Sequence, residues 1–426
     1  MMNGKLQSLG TQTARLNSAV KTILFLSMAV ILSLHSEAGS NPKPGDVFRR
    51  ITFVPDGGQI PVCMPNGTTG DFCRDRYIFH HDLGDLSQVK RIELSVEYWG
   101  GHIGTSQQDV RINDNNWIPL PQPKHTPTDP HCYFRTLLGN PMIDIPLHQF
   151  KPGVNEFEFR AGPQVCYDFN NGFYWIYSYT LFIYYDDAKP HPTGHIMRPK
   201  PGAAIGDNPE IAAFVQPDNS SIRSVDFFGY YQDFDFEGNG EYRQWHYQVR
   251  KGEFERHLGR AAHPPYSVVW DTDWVPDQDR TLKMMACITD SNGVSCMTPA
   301  VETITLKRKR SIKMYRARDV PEYFGVHWWH KTKSCKIDVA DSMDKAVCAQ
   351  LRLSGWSMAH VMGIMLNGVK LADRVGLIHE YCLDDIPVPL EVIQTGINEF
   401  SMFNDVKNHP AEVNWPGPIL LIQFEK

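Results

Sequence analysis

Residues 233–244, DFDFEGNGEYRQ, place oxygen-bearing side chains at alternate positions: Asp233, Asp235, Glu237, Asn239 and Glu241, with Gly238 at the bend. A hard cation such as calcium is held by several oxygens converging at about 2.4 Å, and odd-numbered ligands with a glycine in the sixth place supply that convergence. Asn239 would contribute its carbonyl. The twelfth place carries Gln244 instead of a bidentate glutamate, and the flanks read as strand where such loops sit between helices. Two readings follow: a structural calcium ion, or a solvated acidic hairpin tip.

Sugar stacking is a second chemistry within reach. Trp99, Trp117, Trp328, Trp329, Trp356 and Trp415 are candidate carbohydrate platforms, because the C–H face of a sugar is apolar while its hydroxyls need polar neighbours around the ring that holds it. Core packing competes with this reading at every one of them. Trp99 and Trp356 stand out because each lies just beyond an alternating strand, where loops emerge. Trp175 falls inside a continuous apolar run and reads as core.

Motifs for hydrolysis fail on context. GWSMA at residues 355–359 approximates a nucleophile elbow, which requires a strand, a strained turn and a helix in an α/β protein. His191 with His195, and His327 with His330, have spacings a zinc ion accepts, but no HExxH follows and the surroundings are proline-rich or aromatic. Asp271 with Asp273, or Asp384 with Asp385, are nominal acid pairs. Adjacent Asp384 and Asp385 on a strand would point to opposite faces, and nothing in the sequence singles out either pair, so the nomination is arbitrary.

The elements that must position such residues are strands. Ile92, Leu94 and Val96 alternate, followed by Ile112-Asn113, Asp144-Ile145-Pro146 and GVNEFEF at residues 153–159; Ala349, Leu351 and Leu353 alternate, followed by Leu366-Asn367-Gly368, Asp385-Ile386-Pro387 and GINEFSM at residues 396–402. Four landmarks recurring in one order mean two copies of one β-domain at opposite ends of the chain. Between them, Ile211, Ala213, Val215, then Ile222, Val225, Phe227, then Leu282, Met284, Ala286, Ile288 and the turn DSNG at residues 290–293 predict a further antiparallel sandwich. The proline- and histidine-rich residues 188–202 read as a linker. Helical periodicity of useful length is lacking.

The paired Gly-x-Asn-x-Phe turns, Gly153-x-Asn155-x-Phe157 and Gly396-x-Asn398-x-Phe400, with Leu366-Asn367-Gly368, resemble the galactose-binding-like jelly roll that flanks many glycosidases. Residues from Pro201-Gly202 through SVVWDT to ITDSNG resemble the immunoglobulin-like modules of secreted bacterial proteins. These resemblances imply an all-β chain of three β-sandwich domains, jelly roll (41–187), immunoglobulin-like (197–308) and jelly roll (309–426). They imply carbohydrate binding for the outer two and a spacer or binding role for the middle one, and fold alone assigns no chemistry. Long aromatic insertions such as residues 117–134 depart from the jelly-roll pattern, so ligand position does not transfer.

With 42 Lys+Arg against 48 Asp+Glu the chain has no electrostatic footprint for nucleic acid, and its one basic run, residues 307–310, reads as a solvated linker. Residues 1–38 read as a cleaved signal peptide: Lys5, Arg15 and Lys21, then a 12-residue apolar stretch at 23–34, then Ser36-Glu37-Ala38. The apolar stretch is shorter than the roughly 20 residues of a membrane span. Secretion or cell-surface display would place the nine cysteines in an oxidising compartment. A hairpin centred between Ser291 and Asn292 sets Cys287 opposite Cys296 for a disulfide, and Cys63 with Cys73 flank an easily closed loop. Domain membership alone suggests Cys132 with Cys166 and Cys335 with Cys348, leaving Cys382 free or paired outside the chain.

Together these readings describe a secreted, non-catalytic polysaccharide-binding protein with two loop-rimmed faces whose weak sites add through effective concentration, and with calcium as a structural cofactor. Two alternatives stand beside it: a polysaccharide-degrading enzyme, glycoside hydrolase or lyase, with its site between the terminal domains, and a surface adhesion or structural protein.

Overall fold

The computed structural model describes residues 42–426 apart from 66–72, 74–75, 102–103, 122–141, 166–171, 218–220, 322 and 408. The signal-peptide reading, Cys132 and Cys166 therefore lie outside the described residues. The chain is all-β, with only single 3-10 turns between strands among the described residues, and residues 44–426 form one compact unit.

The asparagine turns of the repeat carry matching hydrogen bonds. Asn113 sits in the left-handed region (φ +47), and its amide donates to the Gln149 carbonyl (2.9 Å) and to Asn155 Oδ1 (2.7 Å) while its own oxygen accepts from the Glu156 amide (2.9 Å). Asn367 (φ +50) does the same with Val392 (2.8 Å), Asn398 (2.8 Å) and Glu399 (2.8 Å). Asn155 and Asn398, both fully buried, each close a turn by donating back to residues four and two earlier, across Gly153 (φ +81) and Gly396 (φ +95). A positive φ is open to glycine without a Cβ clash, and a short amide side chain replaces the missing backbone partners, which is why this pair of residue types marks each turn.

Three cores follow from these strands. The first packs Val89–Trp99, Val47–Phe53 and Phe173–Tyr185 against Tyr77–Asp82 and Val154–Arg160. The third packs Ala346–Trp356 and Ile419–Glu425 against Thr332–Val339 and Gly396–Phe403. The middle one is built on Ile222–Gln232 and Leu282–Asp290. The first and middle cores share a sheet: Val47–Phe53 pairs with Phe173–Tyr185 on one side and with Val294–Met297 on the other, joining twelve strands.

The unbroken apolarity of Phe173–Tyr185 now has its reason. Tyr177, Tyr179, Leu181 and Ile183 face the first core, whereas Phe182 and Tyr184 face Phe228, Tyr247, Phe254 and Met285 of the middle module. A strand buried on both faces loses its polar alternation.

The cysteines depart from expectation. Cys63–Cys73 is bonded, with Cα atoms 5.7 Å apart. Cys287 and Cys296 are free thiols, because the hairpin is centred on Asn292, with three residues between its strands, and its register slips by one. Asp290 accepts from both Asn292 and Val294 amides, Gly293 takes φ +81, and Cys287 falls opposite Met297 while Cys296 falls opposite Ile288. A one-residue slip moves a side chain to the other face, so Cys287 packs with Phe48 and Met285 and Cys296 packs against the first core. Cys335 and Cys348 are also free, as is Cys382.

Candidate functional site

Three antiparallel strands of the third core end side by side. Trp356, the last residue of Ala346–Trp356, pairs with Tyr381 on one flank and Glu412 on the other. The loops beyond this row each carry a histidine: His360 closes the 3-10 turn Met358–His360 after Trp356, His379 precedes Tyr381, and His409 precedes Glu412. Ligand nitrogens of His360, His379 and His409 all lie within 4.8 Å of one another, and among the described residues this is the one set of three potential metal ligands that converges so closely. The rings of His360 and His409 stack at 4.4 Å, with His379 at 6.2 and 6.0 Å from them.

The electrostatics favour neutral imidazole. Burial, then the neighbouring rings, lowers the pKa of His379, and burial with His409 lowers that of His360. Neutral imidazole is the metal-binding form. His360 Nε2 and His409 Nδ1 are shielded from solvent and have no hydrogen-bond partner among the described residues, an arrangement that costs each about 1–3 kcal/mol unless a ligand satisfies it. Tetrahedral zinc with bonds of roughly 2.1 Å sets nitrogens about 3.4 Å apart, so ring shifts of about an ångström close the site.

Two residues of the site have strained backbone. Ser357 (φ +56) and His379 (φ +52) are left-handed without being glycine, and such residues cost about 1–3 kcal/mol unless the surroundings hold them. Fully buried Ser357 accepts the His379 amide on its Oγ (3.2 Å) and donates its own amide to the Glu380 carbonyl (3.0 Å).

The floor of the site comes from both ends of the chain. Trp356 stacks on Trp99, its counterpart in the repeat, with centroids 4.3 Å apart and planes 6° from parallel. Its other neighbours are His379 at 5.7 Å and Trp175 at 5.7 Å. Trp356 Nε1 donates to Tyr177 Oη (2.8 Å), which donates to the His379 carbonyl (2.8 Å). Trp99 Nε1 (3.3 Å) and Tyr323 Oη (3.4 Å) donate to the carboxylate of Glu412, whose pKa burial lifts to about 7.

The residues singled out from sequence fare differently. Trp99 and Trp356, 7% and 2% exposed, spend their faces on each other, so neither is a sugar platform. The half-buried ring of Trp117 lies beneath the Arg111 and Arg160 guanidinium groups at 4.8 and 4.2 Å, and Trp415 packs on the third core. Trp328 and Trp329 occupy the tip of a tight turn closed by reciprocal His327–His330 backbone bonds, where Trp329 is 70% exposed.

Most of the acidic segment turns inward, with Gly240 and Glu241 exposed at its tip. Phe234 and Phe236 alternate into a cluster with Ile312, Ile419 and Leu421, which draws the intervening acids inward. Asp233 pairs with Arg352 (3.3 Å), and fully buried Asp235 accepts the Asn239 and Gly240 amides (3.3 and 2.9 Å). Glu237 accepts the Asn239 side-chain amide (2.9 Å), and the Glu241 amide donates to Asn239 Oδ1 (2.7 Å). Asp235, Glu237 and Asn239 are thus engaged in folding their own loop, Asp233 ties it to the third core, and exposed Glu241 contributes its backbone amide.

No short motif links His360, His379 and His409, which lie in three separate loops, so spacing rules built on near neighbours pass over them.

No family model matches the chain, and no curated protein matches it. A β-porphyranase of glycoside hydrolase family 86 from the human gut bacterium Bacteroides plebeius is 11% identical, with a TM-score of 0.22 over 51% of this chain and 34% of its own. A DUF4785 family protein from Legionella pneumophila is 10% identical, with a TM-score of 0.23 over 89% and 84%. Peptide:N-glycanase F is 8% identical, with a TM-score of 0.18 over 87% and 96%. This chain spans about a third of the length of the porphyranase. Overlaps so slight carry no argument about function.

Proposed function

We propose that this chain is a metal-binding protein whose working site is the His360–His379–His409 centre at the junction of its terminal cores. The observation that carries the reading is the convergence of three half-buried imidazoles, two of them with a shielded, unpartnered nitrogen. Imidazole suits zinc, copper, iron and nickel. Three protein ligands leave a coordination position for water or substrate, the arrangement of catalytic rather than structural zinc, and a metal so held supplies Lewis acidity or an activated water. The residues' own part is to hold three imidazole donors on an aromatic floor.

Equilibrium dialysis of the full chain against zinc with elemental analysis tests this. One ion per chain is expected, together with a rise in Tm on loading, and loss of both in His360→Ala and His409→Ala. Stoichiometry unchanged by those substitutions refutes the reading.

Extracytoplasmic location belongs to the same proposal, supported by the Cys63–Cys73 disulfide; among the described residues no helix is long and apolar enough to cross a membrane. A second reading, glycan binding, is favoured by exposed Trp329 beside half-buried Trp328, whose rings lie 4.8 Å apart. Retention on insoluble polysaccharides that disappears in Trp329→Ala supports it, and equal retention of the variant refutes it.

A further inference from the structure

The middle core reaches the histidines through one hairpin. Strands Gln248–Arg250 and Glu253–Glu255 turn through Lys251 (φ +46) and Gly252 (φ +84). The tip sits tightly against the first core. The Gly252 carbonyl accepts from Arg50 (2.6 Å), and a Cβ at Gly252 would fall 2.3 Å from Thr52 Oγ1, so only glycine fits.

Two carboxylates from the two terminal cores grip this tip. Buried Glu97, on Val89–Trp99, accepts the Lys251 amide (2.9 Å) and Ser178 Oγ (2.8 Å), with Arg250 Nε 3.6 Å away. Glu380, next in sequence to His379, accepts Arg250 Nη2 (2.6 Å) and Lys251 Nζ (3.1 Å). Arg250 therefore lies between an acid of the first core and an acid of the metal loop. Glu380 also supplies the carbonyl that the Ser357 amide bonds, and Ser357 Oγ in turn holds the His379 amide.

We propose that the hairpin tip, Arg250 with Lys251, is the positioning device of the metal centre: by holding Glu380 it keeps His379 in its left-handed conformation with the imidazole facing His360 and His409. This rests on the metal reading above. A strained backbone persists only where its surroundings over-determine it, and His379 is held from three sides: Tyr177 of the first core, Ser357 of the third, and the hairpin of the middle core through Glu380. Partners that orient a ligand without touching the metal change metal affinity by roughly 10–100-fold when removed. The coupling is reciprocal, so metal binding tightens the hairpin as much as the hairpin tightens the metal. The middle module thereby acts on the site rather than merely spacing its neighbours.

The test uses the full chain and cobalt(II), whose visible spectrum reports ligand geometry. Glu380→Gln is expected to weaken cobalt binding by about tenfold and to alter the spectrum, while leaving the far-ultraviolet circular dichroism of the metal-free protein unchanged. Arg250→Lys, which keeps the charge but not the fork, should fall between wild type and Glu380→Gln. Cobalt should slow hydrogen exchange of residues 248–255 in the wild type. Should Glu380→Gln fail to fold, the exposed Lys251→Ala gives the same reading at about threefold.

Wild-type protein that binds cobalt with a Glu380→Gln variant of equal affinity and spectrum overturns the positioning role and leaves the metal centre standing. Equal weakening by Asn155→Ala, which loosens the first core through bonds to Asn113, Lys151 and Gly153 rather than to the tip, also overturns it by showing a general effect of stability. Wild-type protein that binds no cobalt overturns both proposals.

Discussion

Glu412→Gln should stabilise this protein above neutral pH and not below pH 5. The carboxyl is wholly enclosed at the junction; its partners are Trp99 Nε1 and Tyr323 Oη, with Lys333 exerting a weaker attraction. Burial outweighs these partners and lifts its pKa from the ordinary 4.5 to about 7. In the unfolded chain the proton leaves near 4.5; in the folded chain it stays until about 7. Across that window the folded state binds more protons, so stability falls as pH rises, by about 1.4 kcal/mol per pH unit, to a total near 3 kcal/mol. Glutamine keeps the shape and carries no charge to desolvate; with its oxygen toward Trp99 Nε1, its amide can donate to Tyr323 Oη, which accepts as well as donates. The gain of the variant over wild type should therefore be near zero at about pH 4 and reach about 3 kcal/mol at about pH 8. For a unit of this size that corresponds to roughly 4 °C in Tm. Thermal melts of both proteins across this range provide the assay. A variant-minus-wild-type difference that stays flat with pH refutes the argument, because only a titrating group gives it a slope.

Other consequences follow from the packing. Trp99→Ala and Trp356→Ala should each cost about 3–5 kcal/mol, and because the rings stack on each other, the double variant should cost about 1 kcal/mol less than the sum; additive denaturant midpoints would deny that the stack links the two ends. Asn155→Ala and Asn398→Ala, whose hydrogen-bond sets match, should each cost about 3 kcal/mol or more; chemical denaturation showing one of them neutral would break the equivalence of the repeats. Zinc loading should raise Tm by the mass-action term, about 2.7 kcal/mol at a hundredfold excess over Kd, in wild type but not in His409→Ala, as read by scanning calorimetry.

What was legible in the sequence was local. Alternation over Ile92, Leu94, Val96 and over Ala349, Leu351, Leu353 marks strands because the pleat has a period of two. Gly-x-Asn marks turns because an amide bonds its own backbone across a residue that needs positive φ. Those rules act within a few residues, so the all-β class, the repeat and the Cys63–Cys73 closure could be read from order and spacing. One local rule misled: counting inward from Cys287 and Cys296 assumes a symmetric turn, and the extra residue accommodated at Gly293 put the two thiols on opposite faces.

The site itself was decided by tertiary structure. Trp99 and Trp356 were marked as equivalent by the repeat, but only the docking of the terminal cores shows that equivalent positions meet face to face, which removes both from any ligand surface. His360, His379 and His409 come from loops after, before and before three different strands, and nothing within reach of any one of them along the chain specifies the other two. Their meeting depends on the register that places Tyr381, Trp356 and Glu412 in one row, and on a hairpin from the middle core that grips Glu380. Hydrogen-bond register and side-chain packing are properties of the closed fold, so a ligand set drawn from separate loops exists only once the sheets have assembled.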